Sequence, residues 1–380
     1  MIVGQFLNWI DKACVSERAD AAHALARAYL RDDVSFEDRC AADAALTMLL
    51  DDPSPKVRLA MAEVLALSHR APQQIIAALA ADQSEIAAIV LALSPVLTDA
   101  DLIDRVASGG VSEQKHIAQR PVVSMSLAAA IAEVGAAEAA IELIENTGAT
   151  IAALSFRRLA ERFGDRCDVR EALLADRRLP SDSRHHLLVK VGEVLKESPF
   201  VVALIGADRA AKLTRDACVR ASVTLIDGTD AAEYGALVEH LRMRGELTTN
   251  FVMRTVALGK IDFFGAALVA ISGQTVQRVR SLLAGGRDAA LTALFRASGL
   301  PSYADKAILT ALAVWRDVAN GKRVAGAQEV TWLMLKTVNA APGQSGPARE
   351  CRELASLLKS IHLDELRANA RGHALAIAAA

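Results

Sequence analysis

The chain has 380 residues, 52% of them hydrophobic and 23% charged, with 43 Lys and Arg against 45 Asp and Glu. That much apolar material supports a large core and excludes a disordered chain. A net charge of −2 excludes the basic footprint that a nucleic-acid binder spreads over its whole surface. The five cysteines, Cys14, Cys40, Cys167, Cys218 and Cys351, form no CxxC pair. They read as reduced, mostly buried thiols rather than a disulfide or zinc framework. The start, MIVGQFLNWIDKACV, lacks the basic segment of a signal peptide. The apolar runs PFVVALIGA and FFGAALVAI fall short of the roughly 18–20 residues a membrane span needs. A cytoplasmic protein with no membrane span is expected.

Residues 1–34 are predicted to form N-terminal helices, and 35–199 a region of helical repeats. KVRLAMAEVLAL sets the pattern, with Val57, Leu59, Met61, Val64 and Leu65 on neighbouring turns. Aromatics are only 4%, and no stretch alternates apolar with polar residues over a strand's length. The ten prolines sit where helical patterns start or stop, at first turns and connections. Short polar turns bearing Ser54, Ser84, Ser112, Thr147 and Ser181 precede apolar helices, at intervals of 30, 28, 35 and 34 residues. Their hydroxyls are expected to cap the helices that follow. The long 112–147 interval holds an extra helix, VSMSLAAAIAEV. Such periods predict an all-α fold, an α-solenoid of helical hairpins.

From about residue 200 the joints change character. Gly245, Gly259, Gly265, Gly273, Gly285, Gly286 and Gly299 punctuate a second, less regular helical region over 200–340. Residues 243–273 read as three short helices with a threonine start at Thr248–Thr249. APGQSGPA, residues 341–348, reads as a linker. A last helix is expected from Arg349 to about Lys359, followed by a tail to 380 that frays.

The unit LLDDPSPKVRLAMAEVLAL, with its acidic proline turn followed by Val57 and Arg58, resembles a HEAT repeat. The ordered succession from it through APQQIIAALAADQSEIAAIVLALSPVLTDADLI, HIAQRPVVS, ENTGATI and DRRLPSD resembles an alphaproteobacterial family with HEAT-like character, domain of unknown function 2336. GELTTNFVMRTVALGKIDFFGAALVAISG and RASGLPS look like its second half. The likeness runs over residues 35–310. It implies a HEAT-like helical fold and transfers no activity, cofactor or catalytic residue.

Arginine outnumbers lysine 32 to 11, and between residues 150 and 190 the basic residues exceed the acidic ones by three. Arg157, Arg158 and Arg162 fall on consecutive turns of one predicted helix. Guanidinium groups suit carboxylate or phosphate recognition. They suit equally a surface paired with its own acids, here Glu161 and Asp165. His116, Arg120 and Asn146 stand at repeat joints, where they either satisfy helix-end carbonyls or grip a partner's backbone. His185–His186 reads as a solvated helix face. The positions four residues on, Val189 and Lys190, cannot complete a metal site. No nucleophile elbow, P-loop or dinucleotide fingerprint occurs. Neither metal nor cofactor is expected, and a non-enzymatic role is favoured. The function expected is a scaffold or adaptor that holds a protein or peptide on a curved helical-repeat surface. A nucleic-acid-binding HEAT-like protein of the glycosylase kind is the alternative. Few aromatics and the charge balance count against it, and the arginine cluster speaks for it.

Overall fold

A computed structural model describes residues 9–10, 12–340 and 348–379. Among these the fold is all-α: 22 α-helices, two 3-10 turns and no strand. A single isolated bridge joins Val123 to Ala149. The expected linker lies outside the described residues except for Ala348. The chain divides into two compact units, residues 1–183 and 184–380. The sequence places the change near 200. The division instead falls in the first turn of the helix Ser181–Glu197, which runs unbroken past it.

In the first unit, α1 (Val15–Tyr29), α3 (Pro55–Leu65), α5 (Ser84–Leu93), α7 (Val111–Ala118), α9 (Ala137–Glu145) and α11 (Cys167–Ala175) each pack on the next. A second row holds α6 (Asp99–Ser108), α8 (Met125–Val134) and α10 (Ala153–Phe163), packed in the same way. Two further helices, α2 (Phe36–Leu49) and α4 (Gln73–Ala80), lean on the first row. The sequence makes α3 in a simple way. Pro55 stands in its first turn, and Val57, Met61 and Leu65 bury one stripe.

The hydroxyls that cap helices are not the expected ones. Ser35, Thr98, Ser124, Thr248 and Thr275 accept the first-turn N–H bonds. Ser54 makes no such bond, Ser84 and Ser181 are the first residues of their helices, Ser112 is the second, and Thr147 lies in a turn. Gln83 and Gly110 hold the N-cap positions instead, so the serines after them are already inside the helix. Ser84 and Ser112 still mark the register: their hydroxyls meet across successive layers at 3.3 Å.

Arg58 ties three segments together. It donates to the Asp52 carbonyl and binds both oxygens of Asp82, whose carboxyl it holds below the usual range. The Asp52 carboxylate itself goes to Arg18, at 2.7 and 3.1 Å. Arg58 and Asp82 are both largely buried, so Arg58→Ala should lower unfolding stability by about 1–3 kcal/mol. A urea melt with an unshifted midpoint would show that the contact contributes nothing.

The second unit is organised around α16 (Thr249–Ala257), in which every residue from Phe251 to Ala257 is buried. One side meets the cluster of Val223, Leu237, Val238 and Leu241, where Phe251 stands 6.2 Å from Phe263. The other meets Phe264, Phe295, Ile308 and Met334. Where three short helices are expected in 243–273 there are two, α16 and α17 (Ile261–Ser272), because Met243 is the last residue of α15 (Tyr234–Met243). The elements after these are α18 (Val276–Gly285), α19 (Asp288–Ala297), α20 (Asp305–Ala319), α21 (Ala327–Ala340) and α22 (Ala348–Ala379). The last of these carries the expected 349–359 helix on to Ala379 without a break.

Candidate interaction surfaces

Arg120 and Asn146 are helix-end clamps. Arg120 is buried and donates to the carbonyls of Leu91 and Ser94, both at 2.6 Å, at the end of α5. Asn146 donates to the carbonyls of Ala118 and Arg120, at 2.8 and 2.7 Å, at the end of α7. Arg162 repeats the Arg120 geometry in the other row, reaching Ala132 and Gly135 at the end of α8 at 2.8 and 2.9 Å. In both cases one guanidinium nitrogen takes the third carbonyl from the helix end and the other takes the C-cap carbonyl. The last carbonyls of a helix have no partner inside it, and a planar fork spans two of them. Arg178 reaches the Ile144 carbonyl in the last turn of α9 and the Ala149 carbonyl in the connection after it, at 2.7 and 2.8 Å.

The rest of the arginine cluster is also engaged. Arg157 pairs with Asp182 at 2.6 Å, and Arg158 grips both oxygens of Glu133 at 2.8 Å. Arg158 also stands 3.7 Å from Glu161, the local partner expected. His116 is half-buried in α7 and makes no hydrogen bond among the described residues. The structure therefore brings Arg120, Asn146 and Arg162 into the seams between helices and leaves Arg157, Arg158 and His116 apart from them.

Two expectations fail. His185 is not a solvated residue; it is 0% exposed in α12 (Ser181–Glu197). Its Nε2 lies 2.9 Å from the Ser222 hydroxyl, which itself donates to the Cys218 carbonyl, so Nε2 carries the proton. Neighbouring His residues point in different directions on a helix, and the His185 ring meets Ser222 of α14 (Ala207–Asp227). The cysteines are free as expected but not mostly buried. Cys14, Cys40 and Cys167 are exposed, and Cys218 and Cys351 half-exposed. Cys14 is an N-cap and Cys167 opens a helix, positions that face water. No group of His, Cys, Asp or Glu among the described residues is placed to hold a metal. No described helix is long and apolar enough to cross a membrane.

The second unit holds two apolar surfaces that sequence spacing did not disclose. A groove of about 850 Å³ has Gly265, Ala266 and Val269 of α17 on its floor and Val279, Leu283 and Trp315 on its walls. Arg280 and Asp262 stand exposed on its rim. Its lining is mostly apolar, with Tyr234, Asp262, Arg280, Arg316 and Asn320 as the polar side chains.

The other surface is a helical hairpin. The short helix α13 (Pro199–Ile205) packs on α14, and none of its seven residues is buried. Phe200 is 73% exposed and Leu204 67%, with Val194, Leu195 and Leu213 exposed beside them. Gly206, at φ +81°, makes the reversal into α14. Gly192 lets α12 and α14 close up, because a Cβ there would stand 2.4 Å from the Cys218 sulfur. Between the three helices lies an apolar cavity of about 350 Å³ walled by Leu188, Val191, Val201 and Leu213.

Residues 86–341, more than half of the chain, match the model of an uncharacterised protein family conserved in bacteria (DUF2336), and the chain belongs to that family. The match starts later and runs further than the motif likeness over 35–310, leaving the HEAT-resembling unit around Val57 outside it. No curated protein and no solved structure matches the chain.

Proposed function

We propose that this member of a bacterial family is a cytoplasmic protein-binding scaffold built on HEAT-like helical pairs, and that it docks a partner's amphipathic helix on the α12–α14 hairpin. The observation that carries this reading is the set of exposed apolar side chains Phe200, Leu204, Val194, Leu195 and Leu213, of which Leu195 and Leu213 also line the apolar cavity together with Val201 and Ile205 of α13. Folded chains rarely leave so many large apolar groups together in water without a partner to cover them. An amphipathic helix lays its apolar residues, at i, i+3 and i+4 spacing, against such an exposed surface. Surface thiols at Cys14, Cys40 and Cys167 suit a reducing compartment. A phosphate-gripping role is less well supported, because Arg157, Arg158 and Arg162 are engaged within the chain.

The test is affinity capture with wild type and the double variant Phe200→Ser, Leu204→Ser. Both side chains are exposed, so the variant should unfold within about 0.5 kcal/mol of wild type. It should lose the captured protein, while Ala266→Arg in the groove should keep it. Binding should survive nuclease and vary little with salt. Capture that vanishes on nuclease treatment, or falls steeply with salt, would favour the nucleic-acid reading. Undiminished capture by the hairpin variant would refute this docking site.

A further inference from the structure

In the core of the second unit, α16 presents Arg254 among seven consecutive buried residues. Arg254 is 8% exposed, and no hydrogen bond or ion pair reaches its guanidinium among the described residues. It opens on a cavity of about 320 Å³ between α14, α16 and α22. Three cations and three acids line that cavity: Arg220, Arg254 and Lys260 with Asp227, Asp364 and Glu365. Four of the six satisfy one another. Arg220 stands 3.7 Å from Asp364, and Lys260 pairs with Asp227. Arg254 and Glu365 make no hydrogen bond or ion pair with the other four or with each other, although Asp364 and Asp216 lie near enough to favour the Arg254 charge and Lys260 to favour that of Glu365.

A buried guanidinium with no hydrogen bond lowers stability, and a ligand that accepts from it removes that cost. A guanidinium presents a planar fork that suits a carboxylate. The acids opposite disfavour a multiply charged anion such as phosphate and favour a ligand that also brings a positive group. We propose that this cavity binds a small zwitterion of the amino-acid type, with its carboxylate on Arg254 and its ammonium on Glu365. Thr224 lines the same cavity, and its hydroxyl, which donates to the Arg220 carbonyl, accepts from the ammonium, while Leu258 and Ile361 receive an apolar side group. Burial and Asp364 raise the Glu365 pKa against Lys260, and an arriving ammonium would hold it ionised. The site is separate from the hairpin surface and does not depend on it.

The test is calorimetry and thermal unfolding of the full chain with the proteinogenic amino acids, and with acetate, methylamine and inorganic phosphate as controls. At least one amino acid should bind with a Kd below about 1 mM and raise Tm, and acetate should bind at least about tenfold more weakly. Arg254→Met should abolish this binding. In the ligand-free protein it should leave Tm unchanged or raise it, because the lone buried charge is removed. Glu365→Gln, at a half-exposed position, should fold normally and weaken binding at least about tenfold. Three results would overturn the proposal. They are no binding by any amino acid, tighter binding of phosphate or acetate than of amino acids, and a Tm drop in Arg254→Met with amino-acid binding intact.

Discussion

Replacing Arg120 with alanine should lower the unfolding stability of the first unit by roughly 2–4 kcal/mol, read from urea melts followed by helical ellipticity. The change removes two charge-assisted bonds and strands the carbonyls of Leu91 and Ser94 in a seam where Asn146 already uses the Arg120 carbonyl. Burial lowers the Arg120 pKa, so the charge is kept at a cost that the paired carbonyls offset. Arg120→Lys should recover little of the loss, because an ammonium cannot span two carbonyls three residues apart as a guanidinium fork does. Arg162→Ala should behave alike at the end of α8, since it makes the same pair of bonds. Full recovery by lysine would show that charge, not fork geometry, holds the seam.

The protein should also lose stability in mild acid, chiefly through His185. Burial, with help from Arg244 and His186, lowers the His185 pKa from 6.5 to about 4. Glu246 stands 3.3 Å from Nε2, yet its charge is taken up by Arg244 at 2.7 Å, so burial prevails. With Nε2 already carrying a proton, the second would have to sit on Nδ1, which is buried with no acceptor facing it. Between pH 6.5 and 4 the unfolded chain therefore binds a proton that the folded chain refuses. Stability from this group is complete above 6.5 and declines as pH falls toward 4, by roughly 2 kcal/mol at pH 5 and roughly 3 kcal/mol in full. Urea melts at pH 7.5 and 5 should show this slope in wild type and a much smaller one in His185→Gln. Equal slopes in the two proteins would refute the assignment to His185.

What the sequence determined by itself is local. Helical periodicity, proline at first turns and the scarcity of β-branched alternation required an all-α chain, because these act through backbone sterics and neighbours within four residues. The clamping role of Arg120 and Asn146 was legible too, since a long polar side chain at a repeat joint has few partners other than helix-end carbonyls. Arg157, Arg158 and Arg162 were rightly placed on one helix. Their partners Asp182 and Glu133 lie 25 residues away, and Arg162 reaches 30 residues back to Ala132, distances that spacing along the chain does not encode. His185 shows the same limit. Its adjacent His186 suggested a wetted face, and only the packing of α12 on α14 decided that one ring is buried against Ser222 and the other is not. The exposed hairpin, the groove and the unpaired Arg254 are tertiary facts of the same kind. In the sequence PFVVALIGA is only an apolar run too short to span a membrane, and α16 only a short helix with a threonine start. Whether an apolar or charged side chain finds a partner depends on which distant helix arrives beside it, and that is settled by packing.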